Sequence, residues 1–311
     1  EAITLDDVRE FVAAQYTRAN LVVGLAGDVP GGFEDDLRVR LATLPEGNQL
    51  PPVEVRGRTP AGLEVEIVAK DTRSTAISLG HPIAVTRAHP DFAALWLARA
   101  WLGEHRASHG RLFQRIRELR GLNYGDYAYI EAFPGGMYQF FPEPNLARRA
   151  QLFEIWIRPV VPAHAVFTLK LALHELRALI ERGIARDDFE ATRNYLAKNV
   201  FVMTKTQDQQ LGYALDSRWY GIGDFAQTMR ERLAALTVDD VNAAVRRHLS
   251  ADDLLVIMIA GDAEALRDRL LSNEPATVVY DAPKPPDILA EDEAIGALPL
   301  DLSPDRIRIT A

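Results

Sequence analysis

A phrase near the start of the chain returns near its end, and this repeat constrains the fold more than any other feature of the sequence. Thr-x-Asp-Asp-Val occupies residues 4–8 and again 237–241, and Ala-Gly-Asp occupies 26–28 and again 260–262. The two Thr-x-Asp-Asp-Val segments begin 233 residues apart, and the two Ala-Gly-Asp segments begin 234 residues apart. Because both anchors share nearly one spacing, we predict a duplicated domain. The alternative is that helix–strand–Gly-Asp phrases recur by chance in α/β proteins.

The repeat divides the 311-residue chain into unequal parts. Residues 1–44 are predicted to be the C-terminal remnant of a first domain, and 58–272 a nearly complete second copy. Between them, 45–57 are rich in Pro, Gly and charge, which is typical of a linker. Residues 273–311 carry several prolines and acids, so we predict a tail that lies on the surface or is mobile. The chain begins with Glu1, which we interpret as a processed protein or a piece of a longer one.

Hydrophobic periodicity predicts the secondary structure of each part. In the first part, a helix over 4–19 with Thr4 as N-cap precedes a short buried strand at 21–27 and a polar helix to about Leu44. In the second part, the strands are predicted at 62–70, 75–85, 123–133, 136–142, 149–157 and 253–260, and the helices at 90–103, 110–120, 163–183, 186–204, 207–219, 223–235, 237–249 and 262–272. Mostly strands first and helices afterwards indicate an α+β sandwich, with helices on one face of a mixed sheet.

Composition excludes several classes of function. The sequence has no cysteine, which excludes disulfides, thiolate catalysis and cysteine-ligated zinc. The formal net charge is −9 and no basic stripe is present, so a nucleic-acid partner is not expected. No apolar run is long enough to span a bilayer. We expect a soluble protein and leave its compartment open between the bacterial periplasm and the cytoplasm.

The stretch 110–129 joins an amphipathic helix to an alternating, Tyr-rich strand. The helix has apolar residues on one side and Arg, Gln and Glu around the rest, and it stops at Gly121. The turn from helix to strand at Gly121 would bring an arginine and a tyrosine to the same edge of a sheet. The alternative from periodicity alone is a core helix that feeds a half-buried strand.

The motif Arg-Leu-Phe-x-x-Ile-Arg-x-x-x-Gly-Leu-x-Tyr at 111–124, within a duplicated α+β domain, resembles the pitrilysin/insulinase group of zinc peptidases. This group includes the mitochondrial processing peptidases and the respiratory complex core subunits. The resemblance covers roughly 58–272, with 4–44 as the end of a preceding homologous domain. It implies an active site built by two domains that face each other across a closed chamber. One domain supplies the inverted zinc motif His-x-x-Glu-His with a distal Glu, and the other an arginine and a tyrosine seven residues apart.

Arg117 and Tyr124 have this spacing. By resemblance, Arg117 would hold the substrate backbone or a carboxylate through its planar fork of donors. Tyr124 would donate a hydrogen bond to the oxyanion of the tetrahedral intermediate, a role that suits a neutral, fixed hydroxyl. Asn123 is assigned to the same substrate-binding group.

None of the seven histidines begins or ends a His-x-x-Glu-His. We therefore expect no zinc to be bound by this chain, and zinc to lie in the facing domain or in a partner subunit. The expected function is half of a clamshell zinc metallopeptidase that degrades or processes peptides and is inactive alone. The alternatives are a non-catalytic structural or assembly subunit of the same fold, and a module that captures peptides without cutting them.

Two histidine pairs are weaker candidates. His105 and His109 lie four residues apart, but glycines on both sides favour a loop over a metal site. His174 and Glu175 lie in a helical pattern without a second histidine, so we interpret them as helix-surface residues.

Two longer segments also have alternative interpretations. The aromatic segment 123–145 is interpreted as hairpin packing around a Pro-Gly-Gly turn, with a pocket for substrate side chains as the alternative. The polar stretch 208–220 is interpreted as buried hydrogen bonding between helices, with a contact to the facing domain as the alternative.

Overall fold

A computed structural model describes residues 2–50, 54, 56–104, 108–131, 144–272 and 274–311. The helices are α1 Leu5–Gln15, α2 Phe33–Leu41, α3 Phe92–Gly103, α4 Ala165–Arg182, α5 Arg186–Met203, α6 Gln207–Tyr220, α7 Phe225–Ala235, α8 Val238–His248, α9 Ala263–Leu271, α10 Pro286–Gly296 and a π-helix at Phe113–Glu118. The strands are β1 Glu64–Ala69, β2 Thr75–Ile83, β3 Asn123–Tyr129, β4 Gln151–Val160, β5 Leu255–Ala260 and β6 Ile307–Thr310.

The six strands form one open mixed sheet in the order β3-β4-β2-β5-β1-β6. β1 runs parallel to both β5 and β6, whereas the remaining neighbours are antiparallel. Along β2 and β4 every second side chain is buried, which is the pattern of a sheet with one face against a core. The predicted α+β fold with a mixed sheet is confirmed. Among the described residues, no helix combines the length and apolarity that a bilayer crossing requires.

Helix α3 lies at the centre of the core. Eleven of its twelve residues are buried, as expected for a helix that is apolar all round. It packs against β3 on one side and against α5, α7 and α8 on the others. At its C-terminal end, a Cβ added to Gly103 would lie 3.0 Å from the backbone nitrogen of Ala128. The C-terminal part of β3 is therefore held directly on α3.

The two occurrences of the Thr-x-Asp-Asp-Val phrase have the same local structure. Thr4 caps α1 and Thr237 caps α8, and each forms a capping box with the Asp three residues later. The two N-cap residues also share an extended backbone conformation. The shared caps support the interpretation of 4–8 and 237–241 as equivalent segments.

The predicted strand at 21–27 is wrong. The segment joins none of the described strands, and Leu21, Val22 and Val23 are exposed. Its counterpart in the repeat, β5, is paired on both sides, with β1 and with β2. A strand needs neighbours for its backbone hydrogen bonds, and the described part of this chain provides none beside 21–27.

The predicted surface or mobile tail at 273–311 is also wrong. α10 packs against α4 and buries Ile288, Asp292 and Ile295, while β6 extends the sheet beside β1. Two of the acids that suggested a solvated tail, Glu291 and Asp292, bind the buried arginines Arg115 and Arg120, so composition was a poor guide to this segment. The other predicted strands differ by a few residues at their ends, and the one at 136–142 lies outside the described residues.

We expect Asp292→Ala to lower the free energy of unfolding by about 3 kcal/mol, because it removes a partner of a buried arginine. The Asp292 carboxylate accepts from Arg120 Nε at 2.7 Å and from the Tyr280 hydroxyl at 2.6 Å. The control is Glu293→Ala at the next, exposed position of α10, with an expected change within about 0.5 kcal/mol. Urea denaturation measures both, and equal losses would contradict the anchoring of the tail.

Candidate functional site

The helix predicted at 110–120 is a π-helix over most of its length. The backbone nitrogen of Leu119 donates to the carbonyl of Gln114 at 3.0 Å, a span of five residues rather than four. Such wide turns are rare and often lie at functional sites. Gly121 follows with φ of +69°, a conformation that favours glycine, and turns the chain into β3.

The four arginines between residues 111 and 120 fall into two groups according to their partners. Arg111 and Arg115 both bind Glu175 of α4, at 2.7 and 2.6 Å. Arg120, whose side chain is fully buried, donates to Asp292 of α10 at 2.7 Å. Arg115 and Arg120 also share Glu291. These three arginines are held by the protein itself.

Arg117 belongs to the other group, because among the described residues it forms no ion pair. Its Nη1 donates to the backbone carbonyl of Tyr124 at 3.0 Å, and its guanidinium lies 4.8 Å from the centroid of the Tyr124 ring. The ring of Phe113 lies 4.9 Å from the same guanidinium. The Tyr124 side chain is 69% exposed. The structure thus places the two predicted residues side by side at the free edge of the sheet.

Asn123 is less available than predicted. Its Nδ2 donates to the carbonyl of Gly125 at 3.1 Å and to Oδ1 of Asp126. Asn123 Oδ1 has no hydrogen-bond partner among the described residues. The amide nitrogen is therefore engaged within β3, and a direct contact between Asn123 and a substrate is not favoured.

Asp126 is a site residue that the sequence reasoning missed. It is 1% exposed, and its Oδ2 is without a hydrogen-bond partner in the described structure. Burial raises the pKa of Asp126 to about 8, while the hydrogen bond from Asn123 and the charge of Arg117 act in the opposite direction. The signal was present in the sequence. Asp126 and Ala128 lie two residues apart in β3 and therefore on the same face, and Ala128 is buried, so an acid occupies the inward-facing side of the strand.

Glu175 was predicted to lie on a helix surface, and this is wrong. It is 1% exposed and accepts hydrogen bonds from Arg111 and Arg115. Its partners lie in the π-helix and just before it, 60 and 64 residues earlier, so periodicity within α4 could not identify them. His174 beside it is partly exposed.

The remaining candidates have local packing roles. His109 contacts the ring of Tyr195 edge-on with centroids 5.2 Å apart, and His105 lies outside the described residues. In the aromatic segment, Tyr129 packs on Trp156 of β4 at 4.9 Å, whereas the predicted hairpin turn also lies outside the described residues.

The polar stretch 208–220 takes part in a buried charge cluster. Asp216 of α6 accepts from Arg87 and from the backbone nitrogen of Asn145, both at 3.0 Å. Arg87 also binds Glu131 at 2.9 Å. This agrees with the interpretation of buried hydrogen bonding, although the partner residues lie in loops rather than in a second helix.

Within the described residues, one group has the spacing of a metal site: His89, Asp91 and His248. The backbone nitrogen of Asp91 donates to Nδ1 of His89 at 3.0 Å, so a neutral His89 carries its proton on Nε2 and has no free lone pair. Asp91 already binds His248 at 2.7 Å and Arg247. The donor set therefore does not fit a zinc ion.

Comparison with known proteins places the chain in a family. The family model described as the peptidase M16 inactive domain matches residues 2–196. An uncharacterized zinc protease of Streptomyces coelicolor is 26% identical over 256 residues, which cover 79% of this chain and 51% of that protein. The chain belongs to the M16 family, the pitrilysin/insulinase group of zinc peptidases, and corresponds to its inactive, C-terminal domain.

Solved structures agree on the fold. A peptidase M16 inactive domain from Pseudomonas fluorescens superposes with a TM-score of 0.68 at 23% identity, over 83% of this chain and 57% of that one. The first half of the periplasmic protease PqqL from Escherichia coli superposes with a TM-score of 0.63 at 13% identity, over 95% and 60%. The chain spans about half the length of the Streptomyces relative.

The division of the arginines predicts unequal effects of two similar substitutions. We expect Arg115→Ala to lower the free energy of unfolding by about 3 kcal/mol, because Glu175 and Glu291 lose a buried partner. Arg117→Ala, two residues away, should cost about 1 kcal/mol or less, because it removes a cation–π contact at the surface. Thermal and urea denaturation of both variants check this. Equal costs would mean that Arg117 is as much a structural residue as Arg115.

Proposed function

We propose that this chain is the half of a clamshell zinc peptidase that presents Arg117 and Tyr124 to a bound peptide. The observation that supports the proposal best is their arrangement at the start of β3: Arg117, which has no ion pair within the described part of the chain, lies over the ring of an exposed tyrosine. The membership in the M16 family supports the reaction class. In this proposal the scissile peptide bond is cut by water that is activated outside this chain.

The chemistry of the two residues suits these roles. Arg117 uses one of its N–H groups on the carbonyl of Tyr124, which fixes the guanidinium, and the fork has further donors for a peptide carbonyl or carboxylate. The Tyr124 hydroxyl is a neutral donor on a strand that is held against α3. Such a preorganised donor stabilises negative charge that develops on a carbonyl oxygen, by roughly 2.7–4 kcal/mol where water is excluded.

Zinc and its ligands are expected in a facing domain or a partner subunit. The cluster of His89, Asp91 and His248 does not fit the metal, because His89 lacks a free lone pair and Arg247 competes for Asp91. Zinc would supply the activated water and polarise the scissile carbonyl. This chain would position the peptide and stabilise the oxyanion.

The exposed apolar side of α1 supports a preceding domain of the same fold. Val8, Phe11 and Val12 are exposed, and no residue of α1 is buried. At the repeat spacing of 233, their counterparts in α8 are Val241, Ala244 and Val245, all fully buried. In the second copy, α3 and α4 cover this side of α8. We infer that an equivalent pair of helices covers α1, and that this unit forms the facing half.

In the assembled protein, we expect Tyr124→Phe to lower kcat for peptide hydrolysis on the order of 10²-fold, because the oxyanion loses a donor. The ring and its contact with Arg117 remain, so assembly and stability should be unchanged. Steady-state kinetics and size-exclusion chromatography measure the two effects. Unchanged turnover would favour a structural or assembly subunit, and peptide affinity without any turnover would favour a capture module.

This chain alone should neither retain stoichiometric zinc after dialysis against a weak chelator nor hydrolyse peptides. The reason is the donor set, since the described cluster of histidines and acids lacks a third free ligand. Elemental analysis of the dialysed chain checks the expectation. One tightly held zinc per chain, lost in a His248→Ala variant, would contradict it.

A further inference from the structure

Two residues after Tyr124, β3 carries a carboxyl group that the proposed function does not use. Asp126 is buried, and one of its oxygens accepts from Asn123 Nδ2. Two acceptor atoms of this pair, Asp126 Oδ2 and Asn123 Oδ1, are buried and have no hydrogen-bond partner among the described residues. A buried acceptor without a donor is destabilising, so two of them on one pair of side chains require an explanation.

A proton on Asp126 accounts for both atoms. A protonated Oδ2 is a donor, and Asn123, whose Nδ2 already bonds to the other carboxyl oxygen, carries an acceptor, Oδ1, that lacks a donor. The two side chains then form a neutral acid–amide pair with a hydrogen bond in each direction. Burial favours this neutral form, since an ionised carboxylate would lose its hydration.

β3 packs against the π-helix, α3 and β4. Their charged groups are Arg115, Arg117 and Glu118 on the π-helix, Arg99 on α3 with Glu104 directly after it, and Glu154 and Arg158 on β4. Arg115 is bound to Glu175 and Glu291, and Glu118 is exposed. Nη1 of Arg99 lies 2.8 Å from Oε2 of Glu104, so these two charges form an ion pair with each other. Asp126 is paired in register with Ile157, so Glu154 and Arg158, in the opposite phase of β4, lie on the other face of the sheet. Arg117 is the cation whose charge acts on Asp126.

We propose that Asp126 is a positioning residue for Arg117: paired with Asn123 as a neutral acid, it leaves the guanidinium on Tyr124, and once ionised it draws the guanidinium inward and away from the substrate. The inference rests on the proposed role of Arg117 in binding peptides. It implies that peptide binding by Arg117 weakens at alkaline pH, because ionisation of Asp126 would remove the arginine from the site. The group responsible is built into the strand that carries Tyr124.

Carboxyl NMR of the chain, labelled at aspartate, tests the pairing and the coupling directly. We expect Asp126 to titrate near pH 8. In an Arg117→Ala variant its midpoint should rise by about one unit, because the nearby cation that favours the carboxylate is lost. Asp28→Asn, at an exposed loop position, is the control and should leave the midpoint unchanged. Titration near pH 4, or a midpoint that Arg117→Ala does not move, would overturn the proposal.

Stability against pH provides a second measurement with a definite sign. The folded-state pKa of Asp126 lies above the unfolded value of about 3.9, so its stabilising contribution is complete below pH 4 and is lost as the pH rises towards 8. Asp126→Asn keeps a neutral amide pair and cannot ionise. The denaturant midpoint of the variant minus that of the wild type should therefore increase between pH 4 and 8. Above pH 8 this difference should stay constant. A gap that does not depend on pH would contradict a buried neutral acid.

In the assembled peptidase, KM of the wild type should rise above pH 8 as Arg117 is withdrawn, and Asp126→Asn should abolish this rise. If Tyr124→Phe leaves turnover intact while the NMR coupling is present, the proposed function fails and the Asp126–Arg117 coupling stands. If Tyr124→Phe reduces turnover but KM rises equally in wild type and Asp126→Asn, the positioning role fails and the proposed function stands.

Discussion

The buried charge network around the π-helix is the interaction on which the candidate site depends. Glu175 of α4 and Asp292 of α10 bind Arg115 and Arg120, at opposite ends of one short segment. An unpaired charge in this interior would cost several kcal/mol, so the π-helix cannot rotate without breaking pairs on two sides. Arg117 lies between these two arginines in the sequence. The ion pairs of Arg115 and Arg120 therefore fix the backbone from which Arg117 points towards Tyr124.

The same network explains why an arginine-rich helix presents a single guanidinium. The charges of Arg111, Arg115 and Arg120 are balanced by three carboxylates, those of Glu175, Glu291 and Asp292. The remaining positive charge is concentrated at Arg117, beside an exposed phenol and above a buried carboxyl. In the proposed function, this cation and the neutral phenol donor bind the peptide backbone and the developing oxyanion at separate points.

Much of the fold was predictable because its signals are local. The Thr capping boxes at the starts of α1 and α8 are four-residue motifs, α3 is a continuous apolar run, and β2 alternates with a period of 2 residues. The failures share another cause. Periodicity at 21–27 describes a strand but not whether a neighbour exists to pair with it, and acidic composition after residue 272 describes solubility but not the arginines that α10 meets. The π-helix was missed because one wider turn does not change the apolar pattern enough to be recognised.

The sequence by itself determined the repeat, the class of fold and the seven-residue spacing of Arg117 and Tyr124, since each is written in neighbouring residues or in a direct comparison of two segments. Only the tertiary structure decided which arginine remains open, that Asp126 lies buried behind it, and that Glu175 is an anchor rather than a surface acid. These outcomes depend on carboxylates 60 and 172 residues away from the arginines they bind. Burial raises the strength of such pairs and the cost of lone charges, and burial is a property of the folded chain alone.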